Sequence, residues 1–233
     1  MRAFSGEAGL IAEAQGSARF QYGETVAQAA VYGPSQPRYS RHEEFDRAVL
    51  EVNYSLATPP ASSTEIGSNA SSTELARIER DGARQIKQVL GSCVDLKSCP
   101  RMLILIDVSV LRSDGATLST ALNASVLALL DSGIPMLYVP MSLSLSCCVA
   151  AGGTETAVGL LETSADSEST VKSNITFAFR QVSSAPQDET EKYAVIATMA
   201  TGLFDTATLE LGWAEVEANA STLRSFFSKV VRL

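Results

Sequence analysis

The chain has 233 residues, 45% of them hydrophobic and 19% charged, and carries a net charge of −8 at neutral pH. That length can bury one substantial core with decorations, and it excludes two large independent domains. The acidic balance excludes a protein that coats nucleic acid by itself, because Lys and Arg neutralising phosphates supply most nonspecific affinity, so any RNA contact must be local or shared with partners.

The N-terminus places Glu7 and Glu13 where a secretory signal would need an unbroken apolar core, so an intracellular protein is expected. Residues 10–31 read as an antiparallel meander of LIAEA, GSARFQYG and ETVAQAAVYG, punctuated by Gly16, Gly23 and Gly33. Arg38, Arg41 and His42 follow in a charged stretch, RYSRHEEF, that reads as a solvated loop within reach of RNA or a neighbouring subunit. His42 is the single histidine, which excludes multi-histidine metal sites. Over 45–56, Leu50, Val52 and Tyr54 alternate with Glu51 and Asn53, the pattern of a further half-buried strand.

Residues 57–73 hold two prolines, a glycine and many small polar residues, and are expected to form a flexible loop. A helix should follow over 73–90, with Leu75, Ile78, Ile86 and Val89 turned to a core. Its other face carries Arg77, Arg80, Arg84 and Lys87, as candidate RNA contacts or as a solvated face interleaved with Glu74, Glu79 and Asp81. The strongest strand is 101–112. A polar turn at 113–116 leads into a helix over 119–132, stopped by Gly133 and Pro135. Strands are expected at 137–149, 156–163, 174–182 and 193–200, then one long amphipathic helix carrying Trp213, Val216, Leu223, Phe226, Phe227 and Val230.

The fold class is therefore α/β (α+β), a single domain over 1–233. Cys93, Cys99, Cys147 and Cys148 lack zinc-ribbon spacing and read as buried free thiols. The apolar runs are too short to span a bilayer, so no membrane partner is expected.

Two segments carry a resemblance. In GSARFQYGETVAQAAVYGPSQP, Gly16 and Ser17, Gly23 and Thr25, and the Gly33-Pro34 turn stand where the RNase PH family has its Gly-Ser, Gly-x-Thr and Gly-Pro elements. DVSVLRSDGATLSTALNASVLALLDSGIPM resembles the family's central segment, in the same order and with a helix between the two. LNASVLALLDSGIPM and FDRAVLEVNY look most like the RNase PH-like ring subunits of the eukaryotic RNA exosome. The resemblance implies a mixed sheet packed on helices, a hetero-hexameric ring with other RNase PH-like subunits and cap proteins, RNA in a central channel, and a location in nucleus, nucleolus and cytoplasm.

It also implies where the site residues lie. Active members remove nucleotides from RNA 3′ ends with inorganic phosphate, which a Gly-Thr-Arg-Thr loop holds at a helix N-terminus. Here that loop aligns with Gly115, Ala116, Thr117 and Leu118, so the arginine is absent. A pair of aspartates that positions a divalent ion aligns with Glu168 and Asn174, with Asp166 as an alternative to Glu168. The expectation is a non-catalytic subunit with no metal and no cofactor. Two alternatives stand beside it. One is a phosphorolytic 3′ exoribonuclease using Asp166 or Glu168. The other is a free homo-oligomeric nucleic-acid-binding protein or hydrolytic nuclease.

Overall fold

The computed structural model describes residues 3–37, 43–57, 72–149, 156–160, 171–182, 192–202 and 204–231. A first sheet is built from β1 (Phe4–Ala8), β2 (Gly16–Tyr22), β3 (Thr25–Ser35), β4 (Val49–Leu56) and β5 (Leu103–Arg112), in the order β1-β2-β3-β5-β4. The first three strands form an antiparallel meander, of which the glycine-bounded runs predict β2 and β3. β5 pairs antiparallel with β3 and parallel with β4, so it inserts between them from far along the chain. The parallel β4–β5 pair needs a crossover, and α1 (Ser72–Cys93) supplies it.

The second sheet contains β6 (Pro140–Val149), β7 (Thr156–Leu160), β8 (Val171–Val182) and β9 (Lys192–Gly202), ordered β7-β6-β8-β9 and antiparallel throughout. α2 (Thr117–Ser132) lies between the two sheets, and every residue from Ser119 to Leu129 is buried. A helix with no wet face needs small or apolar side chains all round, which TLSTALNASVLALLDS supplies. α3 (Thr206–Val231) packs on β1 and on the far side of the second sheet. There Trp213 meets Phe177 and Phe179, and Phe226 and Phe227 meet Phe20.

The motif glycines have steric reasons. A Cβ on Gly16 would overlap the Ala128 carbonyl oxygen and the Ser132 nitrogen, so α2 lies against the start of β2 only because that position is bare. The Ser17 amide beside it donates to Asp131 Oδ2 at 3.0 Å, tying β2 to the C-terminal turn of α2. Gly33 has φ +117°, and the Gly33-Pro34 bond is cis.

Three expectations need correction. LIAEA is not a strand: Gly9 turns at φ +75°, the Ser17 hydroxyl accepts from the Ile11 amide at 2.8 Å, and Ala14 N donates to Ile11 O. The first meander strand is instead Phe4–Ala8, whose Phe4 ring stacks on Tyr22. Second, residues 45–48 precede the strand, and Phe45 stands 73% exposed with the Arg101 guanidinium over its ring. Third, α1 extends past residue 90 to Cys93, and Leu96–Ser98 then makes a short 3-10 turn. The loop expected at 57–73 lies almost wholly outside the described residues, which resume at Ser72 with the first turn of α1.

Cys93 is buried, as expected, and burial pushes its thiol up to about 12. Cys99 is only half-buried. The side chains of Cys147 and Cys148 lie outside the described residues. Among the described residues no helix is long and apolar enough to cross a membrane.

Candidate active-site cleft

A cleft of about 420 Å³ opens where α1, the N-terminus of α2 and strands β8 and β9 converge. The turn into α2 forms its inner wall. Thr25, fully buried, holds that turn: its hydroxyl donates to Gly115 O at 2.7 Å and accepts from the Asp114 amide at 2.9 Å. One side chain thereby replaces two backbone partners, which explains a threonine in the Gly-x-Thr element. Gly115 and Ala116 both take positive φ, 82° and 53°, and Ala116 begins α2 without a side-chain cap. An alanine in the left-handed region is uncommon and strained. The Ala116 carbonyl accepts from Thr120 N and from the Ser119 and Thr120 hydroxyls, which fixes the turn from the helix side.

The floor is polar. Ser144 on β6 and Thr176 on β8 both line the cleft, and their hydroxyls lie 2.8 Å apart. Ser144 also donates to the Ser119 hydroxyl at 2.8 Å. Deeper, Asn123 of α2 acts as a strand partner for β6, donating to Ser142 O at 2.9 Å and accepting from Ser142 N at 3.0 Å. The LSLS text of β6 showed the alternation, but only helix packing showed that its serines face α2.

Tyr54 closes the cleft from β4. Its ring packs so tightly against Gly82 of α1 that a Cβ there would meet two ring carbons at 2.8 Å. Burial pushes the phenol up to about 12, with the Glu79 charge adding to the shift and a hydrogen bond with Thr117 opposing it. Glu79 itself accepts from the Leu56 amide at 3.0 Å, anchoring α1 to the end of β4.

The aligned positions therefore meet. Gly115, Ala116, Thr117 and Leu118 form one wall and Asn174 stands across from them on β8, so two positions far apart in sequence line one cleft. Glu168 and Asp166 lie outside the described residues, as do Arg38, Arg41 and His42. Among the described lining residues no side chain is basic, and Asp81 is the single carboxylate. No group of three or more His, Cys, Asp or Glu among the described residues is gathered closely enough to hold a metal ion.

Arg77, Arg80, Arg84 and Lys87 share one exposed stripe of α1, and none lines the cleft. Ile78, Gly82 and Gln85 turn toward it instead, and Asp81 stands between, 3.9 Å from Arg77. Arg80 folds back onto Ala76 O at 3.1 Å.

Residues 1–135 match the 3′ exoribonuclease family, domain 1 (RNase PH). The chain belongs to the RNase PH family. An Arabidopsis thaliana exosome complex component RRP41 homolog is 33% identical over 179 residues, which is 69% of this chain and 70% of the relative. Human exosome complex component RRP41 is 36% identical over 137 residues, 58% of this chain and 54% of its own length, so the match spans about half of that relative. Two solved structures share the fold. Rice Rrp46 superposes with a TM-score of 0.73 at 21% identity over 100% of this chain and 96% of its own. A chain of an archaeal exosome core gives 0.68 at 19% identity, over 97% and 87%.

Proposed function

We propose that the chain is a non-catalytic RNase PH-like subunit of an RNA exosome ring, supporting 3′ to 5′ RNA processing and decay by assembling with other RNase PH-like subunits and cap proteins and by guiding RNA. The observation that carries the non-catalytic part is the cleft wall. Where the family loop holds an arginine stands Thr117, a side chain with no charge, and the one described acidic neighbour, Asp81, repels an incoming phosphate. A helix N-terminus without a guanidinium is a weak anion site, and Asn174 is a poorer ligand for a hard divalent ion than a carboxylate.

Assembly is supported by β9. It is an edge strand of 11 residues in which none is fully buried, and its run YAVIATMA carries no charge and no proline. Among the described residues β9 has one neighbouring strand, β8, and its other side is a surface suited to a strand of another subunit. The exosome names of the relatives support the same reading.

Release of nucleoside diphosphates from a 3′-labelled RNA by the purified chain tests it. The expected result is no phosphate-dependent release, for the unsubstituted chain and for Thr117→Arg or Asn174→Asp alone. Each missing device supplies on the order of 3 kcal/mol of transition-state stabilisation, a factor of roughly a hundred. Release that rises with phosphate concentration in the unsubstituted chain replaces this reading with an active exoribonuclease.

A further inference from the structure

A second cavity, of about 350 Å³, shares no lining residue with the cleft and lies between the C-terminal half of α3 and the end of the second sheet where β6 begins and β8 finishes. Its base is apolar, made by Met141 of β6 and Phe227 of α3, each 4% exposed. Its rims are apolar too: Val139 on the sheet side is 37% exposed and Val231 on the helix side 52%. The Tyr138 ring makes a fixed side wall, because its hydroxyl donates to Ser92 Oγ at 2.9 Å and the Arg180 guanidinium sits 4.9 Å from its centroid. Arg224 lines the same cavity, and among the described residues no carboxylate does. A guanidinium has five N–H donors, so one partner already held leaves donors for an incoming carboxylate. Glu7 and Asp131 line a neighbouring cavity across Leu130 and Val231, the two residues that both cavities share.

An occupant of this groove must cover two wet apolar rims as well as fill the space between them. A small amphipathic molecule of the cavity's size leaves the rims in water, whereas a peptide laid across the groove covers both. We propose that the groove docks a short segment of another protein, whose apolar side chains enter between β6 and α3 and whose adjoining acidic residue meets Arg224. Charge complementarity selects the acid. In a chain of net charge −8 an acidic segment is repelled on approach, and two guanidiniums beside an apolar groove give it a local place to land. The Glu7 and Asp131 carboxylates set the orientation, with the acidic residue on the β8 side of Val231 and not on the β1 side. The inference depends neither on RNA guiding nor on the ring.

The test is an array of octapeptides probed with the full chain. All share central pairs drawn from Leu, Ile, Val, Met and Phe, and three sets differ in their flanks: Asp and Glu, Asn and Gln, or Lys and Arg. Acidic-flanked peptides should be retained most strongly. The best of them, labelled with fluorescein, should bind in solution about tenfold more tightly than its Asn/Gln-flanked counterpart, read by anisotropy. Arg224→Gln should remove that preference, and Arg224→Glu should turn it toward the Lys-flanked peptide. Val139→Ser, on the exposed rim, should instead weaken every peptide several-fold whatever its flanks. A thermal melt of each variant separates loss of fold from loss of recognition. Absence of retention in all three sets, equal affinity for acidic and neutral flanks in the unsubstituted chain, or an acidic preference unchanged in the folded Arg224 variants overturns the inference. Decanoate bound without any peptide retained assigns the groove to a small amphipathic carboxylate, and dimerisation of the chain that Val231→Ser abolishes assigns it to a second copy; either result also overturns the inference.

Discussion

Replacing Thr25 by valine keeps the shape of a fully buried side chain and removes both of its hydrogen bonds. The Asp114 amide and the Gly115 carbonyl then lose their partner, and each stranded group costs about 1–3 kcal/mol. Both residues are only half-buried, so water recovers part of that loss, and the low end applies: about 2–3 kcal/mol for Thr25→Val. Thr25→Ser keeps the hydroxyl and gives up one buried methyl, about 1 kcal/mol. Urea unfolding of the three proteins gives these differences directly, provided the m values agree. Hydrogen exchange adds the local signature, because amides 114–118 should lose protection in the valine variant before the rest of the first sheet does. If Thr25→Val costs no more than Thr25→Ser, the hydroxyl does not hold the turn, and the account of the Gly-x-Thr element fails.

Gly16→Ala puts a methyl against backbone atoms of α2 that cannot swing aside, so a loss above about 3 kcal/mol is expected by thermal or chemical unfolding. Gly82→Ala meets the Tyr54 ring instead, which has some room to shift, and should cost about 1–3 kcal/mol, while Gly82→Ala combined with Tyr54→Leu should recover part of it. Tyr54 and Cys93 both hold their protons more tightly folded than unfolded, so their contribution is complete below their ordinary values of 10.0 and 9.0 and is lost as pH climbs towards 12. Stability should therefore fall by on the order of 1 kcal/mol per pH unit for each group across that window, and less steeply in Tyr54→Phe. Val195→Lys places a charge on the open β9 edge, where the native side chain is 45% exposed, and should abolish assembly with partner subunits in co-expression while leaving the melting temperature of the isolated chain within about 2 °C.

What the sequence determined by itself was whatever depends on local periodicity. The alternation of Ile104, Ile106, Val108 and Val110 made β5 legible, and the glycine-bounded runs gave β2 and β3. The order of the Gly-Ser, Gly-x-Thr and Gly-Pro elements pointed to the RNase PH family from the sequence alone. The alignment of Thr117 with the arginine of the family loop came from the sequence alone, as what the resemblance implies. LIAEA misled because its apolar spacing fits a strand equally well; the Ser17 hydroxyl that captures Ile11 becomes available only once β2 is paired.

Only the tertiary structure decided the rest. Insertion of β5 between β3 and β4 is a long-range pairing that no local pattern encodes. The same holds for the convergence of Asn174 with the 115–118 turn, which brings β8 to the N-terminus of α2. Whether the arginine stripe of α1 lines the cleft or flanks it depended on the rotation of one helix about its axis, which the Gly82–Tyr54 contact sets. The hydroxyl cluster of the cleft floor was the least legible feature, since Ser119, Ser144 and Thr176 lie on three separate elements. Each is an ordinary hydroxyl in the sequence, and only the packing of α2 on the second sheet brings the three together.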